Sequence, residues 1–476
     1  MVTVLQRIQQ IQQIRQSVEQ RLPPRLHGFL VSAALIGLCA LGYHLRRPSI
    51  SLQPGLYAED GSIFLQQAID QGAGSLVQLY AGYSHLLQRI TALTAVNLLS
   101  PYDYPRFFLL VAWVAYLLPL VSVEALIGVG VFSRVMRVAY IPYVYYPYAG
   151  ETYLNLPNAY IFFPLGFILI AYGVVAQQGR GRPEVLGHPA LKGLLLLYGL
   201  VAAFTGPFMA IYTIPLLIFH GLRSRRLPIR PLWLSLPVLL SSLQIYVSQL
   251  QTDYPLSTAQ ALGELFTRPA LLLDWFTVHL IAPLLGGYKP WWYLRGLPDP
   301  LQLLAVLLVL ALVVLAVRVV TGRMGQPALL YLAIFSTLVL SFSSLLVATR
   351  RGVDLKLVVI EDAGGRFFFW NTVLFLSVLL MAFVLLVREQ RTRNSSTARA
   401  LAIWLVLTLV FYHNNFVIRP VFEVTPQGQI RALVYEEQLS LQCGRAQPLP
   451  IQIYGGPTWN FQLGERQRQR LCAEAT

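Results

Sequence analysis

Long apolar runs, one after another, constrain this chain more than any other feature. Residues 28–45, GFLVSAALIGLCALGYHL, contain no Asp, Glu, Lys or Arg. About 20 such residues in a helix cross a hydrocarbon layer ~30 Å thick. Comparable runs follow at 107–132, 138–148, 158–176, 193–204, 208–221, 231–250, 301–321, 327–347, 367–387 and 400–418. The expected fold is therefore an all-α polytopic membrane protein with about 11 transmembrane helices, in a range of 10–13. Composition agrees: 12% of residues are charged and 56% are hydrophobic, whereas soluble domains carry roughly 25% charged residues. Arg46-Arg47-Pro48 follows the first run in place of a small-residue cleavage site, so the run reads as a retained helix.

The net charge of +15 invites a nucleic-acid reading, but the placement of the basic residues excludes it. With the N-terminus inside, the cytoplasmic connections hold 19 of the 36 Lys and Arg residues against three acids, Glu19, Glu184 and Glu389. That asymmetry is the positive-inside pattern, so the basic excess encodes topology. Residues 1–27 place Val4, Ile8, Ile11, Val18 and Leu22 on one helical stripe beside Arg7, Arg15 and Arg21. This fits an amphipathic helix on the cytoplasmic surface or a solvated Gln-rich tail. The membrane domain then spans 28–418. Outer loops at 46–106 and 251–300 and a small extracytoplasmic tail, 419–476, lie on the other side.

The first outer loop contains YAEDGSIFLQQAIDQG at 57–72, with the adjacent carboxylates Glu59 and Asp60 and with Gly61 leaving their backbone exposed. Ile63, Phe64, Gln67 and Ala68 repeat at helical spacing, and Gly72 and Gly74 end the run. A second helical stretch covers His85–Leu99, and both read as amphipathic helices lying along the outer surface. Glu59 and Asp60 suit two roles: helix-capping acids, or a carboxylate base at the membrane edge. Asp70 reads as a helix-end or solvent-facing acid, or as a second catalytic acid. His85 and Arg89 stand one turn apart and share a face. Glu151, Asn155 and Asn158 fall in a turn, where they could bind sugar hydroxyls or cap the next helix. Glu124 lies inside a span, where an unpaired acid is costly.

The acidic pair in EDGSIF, followed by YAGYSHLLQRITA in a first outer loop of a chain with about a dozen spans, resembles the GT-C superfamily of membrane glycosyltransferases. GETYLNLPN at 150–158, FTGPF at 204–208 and GGRFFFW at 364–370 resemble an uncharacterised bacterial branch of it. The resemblance implies transfer of a sugar from a polyprenyl-phosphate donor to an acceptor glycan, lipid or protein, at the outer face of a bacterial plasma membrane. It implies Asp60 as general base with Glu59 as alternate, and Arg366 as counter-charge to the leaving phosphate, ahead of Arg350 and Arg351. His85, Arg89, Glu151, Asn155 and Asn158 become substrate-binding candidates. Some members use a divalent metal, although these residues demand none, and no cofactor is firmly implied. A lipid or glycan transporter and a non-catalytic subunit of an envelope-polymer complex are the competing expectations.

Cys39 falls in the first run and reads as core. Cys443 and Cys472 share the outer tail, where an oxidising exterior allows a disulfide closing a loop around IQIYGGPTW. The runs VYEEQLSLQC and PIQIY suggest a few strands, too few to fold alone and so resting on the outer loops. No Cys/His spacing matches a structural zinc site, and no phosphate-cradling Gly loop is present.

Overall fold

The computed structural model describes residues 24–46, 54–80, 83–144, 155–178, 189–206, 209–210, 213–214, 232–251, 256–267, 273, 298–324, 365–389, 434–443, 445, 447–453 and 460–474. The described architecture is all-α apart from one pair of short strands. Helix α1 spans Pro24–Arg46. A π-helical turn, Asp60–Leu65, runs into α2, Gln66–Gln71, and α3 spans Leu86–Leu98. The long helix α4, Tyr104–Gly128, leads through a 3-10 turn, Arg134–Ala139, into α5, Tyr140–Val144. Then come α6 (Ala159–Gln178), α7 (Pro189–Thr205), α8 (Leu232–Gln251) and α9 (Thr258–Thr267). Helices α10 (Asp299–Met324) and α11 (Gly365–Glu389) precede the tail, which contains β1 (Ile451–Gln452), β2 (Asn460–Phe461) and α12 (Glu465–Glu474).

Three stretches, Leu26–Leu45, Pro101–Gly128 and Pro300–Val320, are long and apolar enough to cross a membrane. Four shorter apolar stretches accompany them: Ala159–Gly173, Pro189–Thr205, Leu234–Val247 and Leu376–Val387. Each coincides with an apolar run of the sequence. The helices expected at 327–347 and 400–418, most of 208–221, most of the N-terminal stripe and the aromatic stretch 289–296 lie outside the described residues.

Packing divides into three cores. The first joins α1, α4, α6, α7 and α8 around Tyr116, Phe162, Phe167, Leu195 and Leu234, with Cys39 at its edge as expected. Close approach there needs small residues. A Cβ on Gly199 of α7 would lie 2.7 Å from both Phe167 of α6 and Pro237 of α8. The second core joins α10 and α11 to Val135 of the 3-10 turn. The third sits where α4 and α6 begin. It packs Leu56, Phe64 and Leu65 of the first loop against Ala92 and Val96 of α3, Tyr104 and Phe108 of α4, and Leu439, Phe461 and Leu471 of the tail.

The opposite end of α4 holds the acid that the sequence left unpartnered. Arg137 donates to both oxygens of Glu124, Nε to Oε1 at 2.9 Å and Nη2 to Oε2 at 2.8 Å. Tyr140 donates to Oε1 at 2.8 Å, and Ser32 of α1 to Oε2 at 2.6 Å. This bidentate pair fastens α1 and the 3-10 turn to α4, a geometry that guanidinium and carboxylate favour. Arg137→Met leaves Glu124 buried and unpaired, so it should destabilise the protein by about 3 kcal/mol. The double change Glu124→Gln/Arg137→Met should recover most of that loss. Unfolding by denaturant in detergent micelles measures both.

Candidate active site

Two non-glycine residues bracket the first-loop fold in left-handed backbone geometry: Ala58 at φ 34° and His85 at φ 52°. Such conformations cost of order 1–3 kcal/mol and persist only where surroundings impose them. Between them lies the π-helical turn, an uncommon element frequent at functional sites. Glu59 occupies its N-cap without a side-chain cap bond. Asp60 does not cap the helix either: its Oδ2 accepts backward, from the Tyr57 N–H at 3.0 Å. The capping role is thus not what places these acids.

Asp60 is 2% exposed, and its Oδ1 has no hydrogen-bond partner among the described residues. Burial raises its pKa well above the ordinary carboxylate range; the Tyr57 N–H opposes that and the charge of Glu59 adds to it. Asp70 is exposed and accepts from Gln66 at 2.9 Å, which leaves it a surface residue.

Arg89 organises the rest of the loop. It is 0% exposed. Its Nε donates to Ser84 O at 2.6 Å, and its Nη1 donates to Gln67 Oε1 at 2.5 Å and Ser75 O at 2.8 Å. The guanidinium lies over the Phe64 ring, 5.6 Å from its centroid. Burial lowers its pKa to about 10, so it stays charged at neutral pH, solvated by carbonyls where water is absent. Nη2 has no partner among the described residues.

These contacts correct the surface-helix expectation for α3. Its inward face carries Gln88, Arg89 and Thr91 beside Ala92, Ala95 and Val96, while Ile90 and Leu98 face outward. The polar residues turn inward because their acceptors are there. Gln88 donates to Leu156 O and Pro157 O, each at 3.2 Å, which ties α3 to the turn before α6. The N-cap of α3 is His85, which makes no side-chain cap bond. The Leu87 N–H instead donates to Thr205 Oγ1 of α7 at 3.3 Å, so one open donor of the helix start is met by another helix. Gln244 of α8, with its amide turned to satisfy both neighbours, donates to Ala203 O and accepts from Ser84 N, each at 2.7 Å. His85 sits 7% exposed among the rings of Phe64, Tyr80, Tyr83 and Tyr160, its Nδ1 3.0 Å from Tyr83 O.

The structure therefore gathers Asp60, His85, Arg89, Asn155 and Asn158 at one end of the helices. Asn155 Oδ1 accepts from the N–H and the side chain of Asn158, at 3.1 and 2.9 Å, so this pair shapes the turn before α6. Arg366 stands in the first turn of α11, a helix packed on α10, α5 and the 3-10 turn. Arg350, Arg351 and Glu151 lie outside the described residues. Sequence reasoning missed Gln67, Ser75, Gln88, Thr205 and Gln244 as partners. A glutamine inside the apolar run of α8 was the available signal, since such polar residues rarely face lipid.

The tail completes the site and corrects two expectations. Residues 434–440, read as strand, are helical and bury Tyr435 and Leu439 one turn apart. Gly61, expected to leave the backbone open, is covered: an added Cβ would lie 2.6 Å from Ile453 Cδ1 and 3.0 Å from Phe461 Cδ1. The expected disulfide joins Cys443 to Cys472 across 29 residues, and the tail rests on the first loop as anticipated.

Among the described residues, His, Cys, Asp and Glu side chains do not gather in threes around a metal-sized position. Comparison with protein-family models, curated proteins and solved structures finds no match for this chain.

Arg89→Lys should keep the charge but lose the fork that reaches three acceptors. Amide hydrogen exchange across 60–77 should show about 3 kcal/mol less protection, the cost of stranding two buried acceptors.

Proposed function

We propose that the chain is a membrane glycosyltransferase of GT-C type, with Asp60 as the general base. It moves a sugar from a polyprenyl-phosphate donor to an acceptor hydroxyl at the extracytoplasmic face of a bacterial plasma membrane. The single observation that carries this reading is Asp60 itself: a buried carboxyl with one oxygen unpartnered among the described residues and its basicity raised. A structural cap would be solvated and bonded to its helix. A base needs an open oxygen and a pKa moved toward the working pH.

About 11 spans with the N-terminus inside would set Asp60 and the tail on the outer side. The described helices support a membrane setting through their exposed apolar residues, such as Phe29, Leu38, Leu45, Leu110 and Leu304, which suit a hydrocarbon solvent. In the transfer step, Asp60 Oδ1 takes the proton of the acceptor hydroxyl. The hydroxyl oxygen forms a bond to the anomeric carbon, and the carbon–oxygen bond to the phosphate breaks with its electron pair leaving on phosphate. Arg366 at the start of α11, with Arg350 and Arg351, would neutralise that charge. His85 and Asn158 would line the sugar side, whereas Arg89, sealed inside the loop, holds the frame.

A hard divalent ion takes six or more oxygen ligands, including waters. Glu59 and Asp60, the second with one oxygen open among the described residues, make a poor cage for such an ion. Glu124 lends nothing to a transport pathway, because four donated hydrogen bonds occupy it.

Asp60→Asn preserves shape and the Tyr57 contact, so the fold should survive while transfer falls about 10²–10⁴-fold. The assay follows surface-glycan sugar and outer-leaflet donor in cells at equal protein abundance. Wild-type kcat/KM should rise with pH through an acid limb above the usual carboxylate range. Glu59→Gln removes a charge that raises Asp60, and should move that limb to lower pH. An unmoved limb assigns the titration to another group.

A further inference from the structure

The turn that carries Asp60 is covered by residues almost 400 positions later. Gly61 meets Ile453 and Phe461 so closely that a side chain at this position would displace them. Beside this contact, the Gln462 N–H donates to Gln66 Oε1 at 2.7 Å, across 396 residues of chain. Phe461 and Ile451 are 1% and 0% exposed. Gly464 lies against Ile69, where an added Cβ would stand 3.1 Å from Ile69 Cγ2. The hairpin thus covers the π-helical turn and the start of α2 along one side.

The hairpin is itself anchored. Arg470 of α12 donates to Leu99 O at 2.6 Å and Asn97 O at 2.9 Å, which fixes α12 on the end of α3. Tyr435 donates to Pro101 O at 2.8 Å, beside the start of α4. The Gln442 side chain exchanges two bonds with the backbone of Leu449, ahead of β1. The Cys443–Cys472 bond links the helical segment 434–440 to α12.

We propose that the tail is a clamp belonging to the active site. Ile453 and Phe461 are positioning residues that act through Gly61 to hold the π-helical turn and its carboxyl in place. The disulfide keeps the clamp closed. The structural half of this proposal stands on the contacts alone, and its catalytic half rests on the function proposed above.

Amide hydrogen exchange on the full chain in lipid nanodiscs tests it, read at 60–66 and at 460–464. Gly61→Ala should speed exchange at 60–66 about tenfold or more, which corresponds to a loosened local unit. Adding Ile453→Val removes the Cδ1 that collides, and should restore protection to within about threefold of wild type. The pair Cys443→Ser/Cys472→Ser opens the clamp without touching the loop, and should speed exchange at both places. Transfer measured alongside should lose kcat with KM held for Gly61→Ala, by about tenfold to a hundredfold, as small misplacements do, and regain it with Ile453→Val. Protection at 60–66 that survives opening of 460–464 would overturn the clamp. So would a Gly61→Ala chain as protected as wild type, or full-rate transfer by a cysteine-free pair whose exchange has risen. A wild type without transfer that still shows the exchange pattern supports the clamp and sinks the glycosyltransferase reading.

Discussion

A single buried guanidinium holds the first loop in shape. Arg89 gathers Ser84, Ser75 and Gln67 around one plane and rests on Phe64. Removing such a charge from water is costly unless the chain supplies its own acceptors, so the loop must wrap the side chain closely. The left-handed His85, the inward polar face of α3 and the covered Phe64 all follow from that wrapping. Asp60 opens the same turn that carries Phe64, four residues before it. Charge in this loop therefore works in two ways. One group is held still by three hydrogen bonds, two of them to backbone carbonyls, while the other keeps an oxygen without a partner among the described residues and is made more basic.

The two ends of α4 illustrate contrasting treatments of a buried acid. Glu124 receives four hydrogen bonds over both oxygens, two of them from one guanidinium, which is a fastening. Asp60 receives one backbone donor on one oxygen. The difference lies in what the neighbours offer. Arg137, Tyr140 and Ser32 converge from three segments on Glu124, whereas Gly61, Ile453 and Phe461 bring only apolar surface to the turn beside Asp60.

Much of this was legible from the residues. Apolar run length located the described long helices to within a few positions, because hydrocarbon thickness sets helix length whatever the partners. Spacing in SIFLQQAID and HLLQRITA located α2 and α3, and two cysteines in one tail named their bond. What remained hidden depends on distance along the chain. Arg89 read as a ligand-facing residue because two of its three acceptors are backbone carbonyls, which carry no sequence signature. VYEEQLS read as strand because Val and Tyr favour sheets, until packing of Tyr435 and Leu439 against the loop settled it as helix. Gly61 looked like an opening because the residues that fill it come almost 400 positions later.

That last separation has a consequence for how the protein is made. The chain between Gln66 and Gln462 covers 396 residues, which synthesis at about 5–20 residues per second takes roughly 20–80 s to deliver. For that interval the nascent first loop exists without the side chains that later close on Gly61. The acidic turn therefore emerges long before the residues that cover it. Its mature packing is acquired only once Ile453 and Phe461 have been synthesised and have folded back onto it.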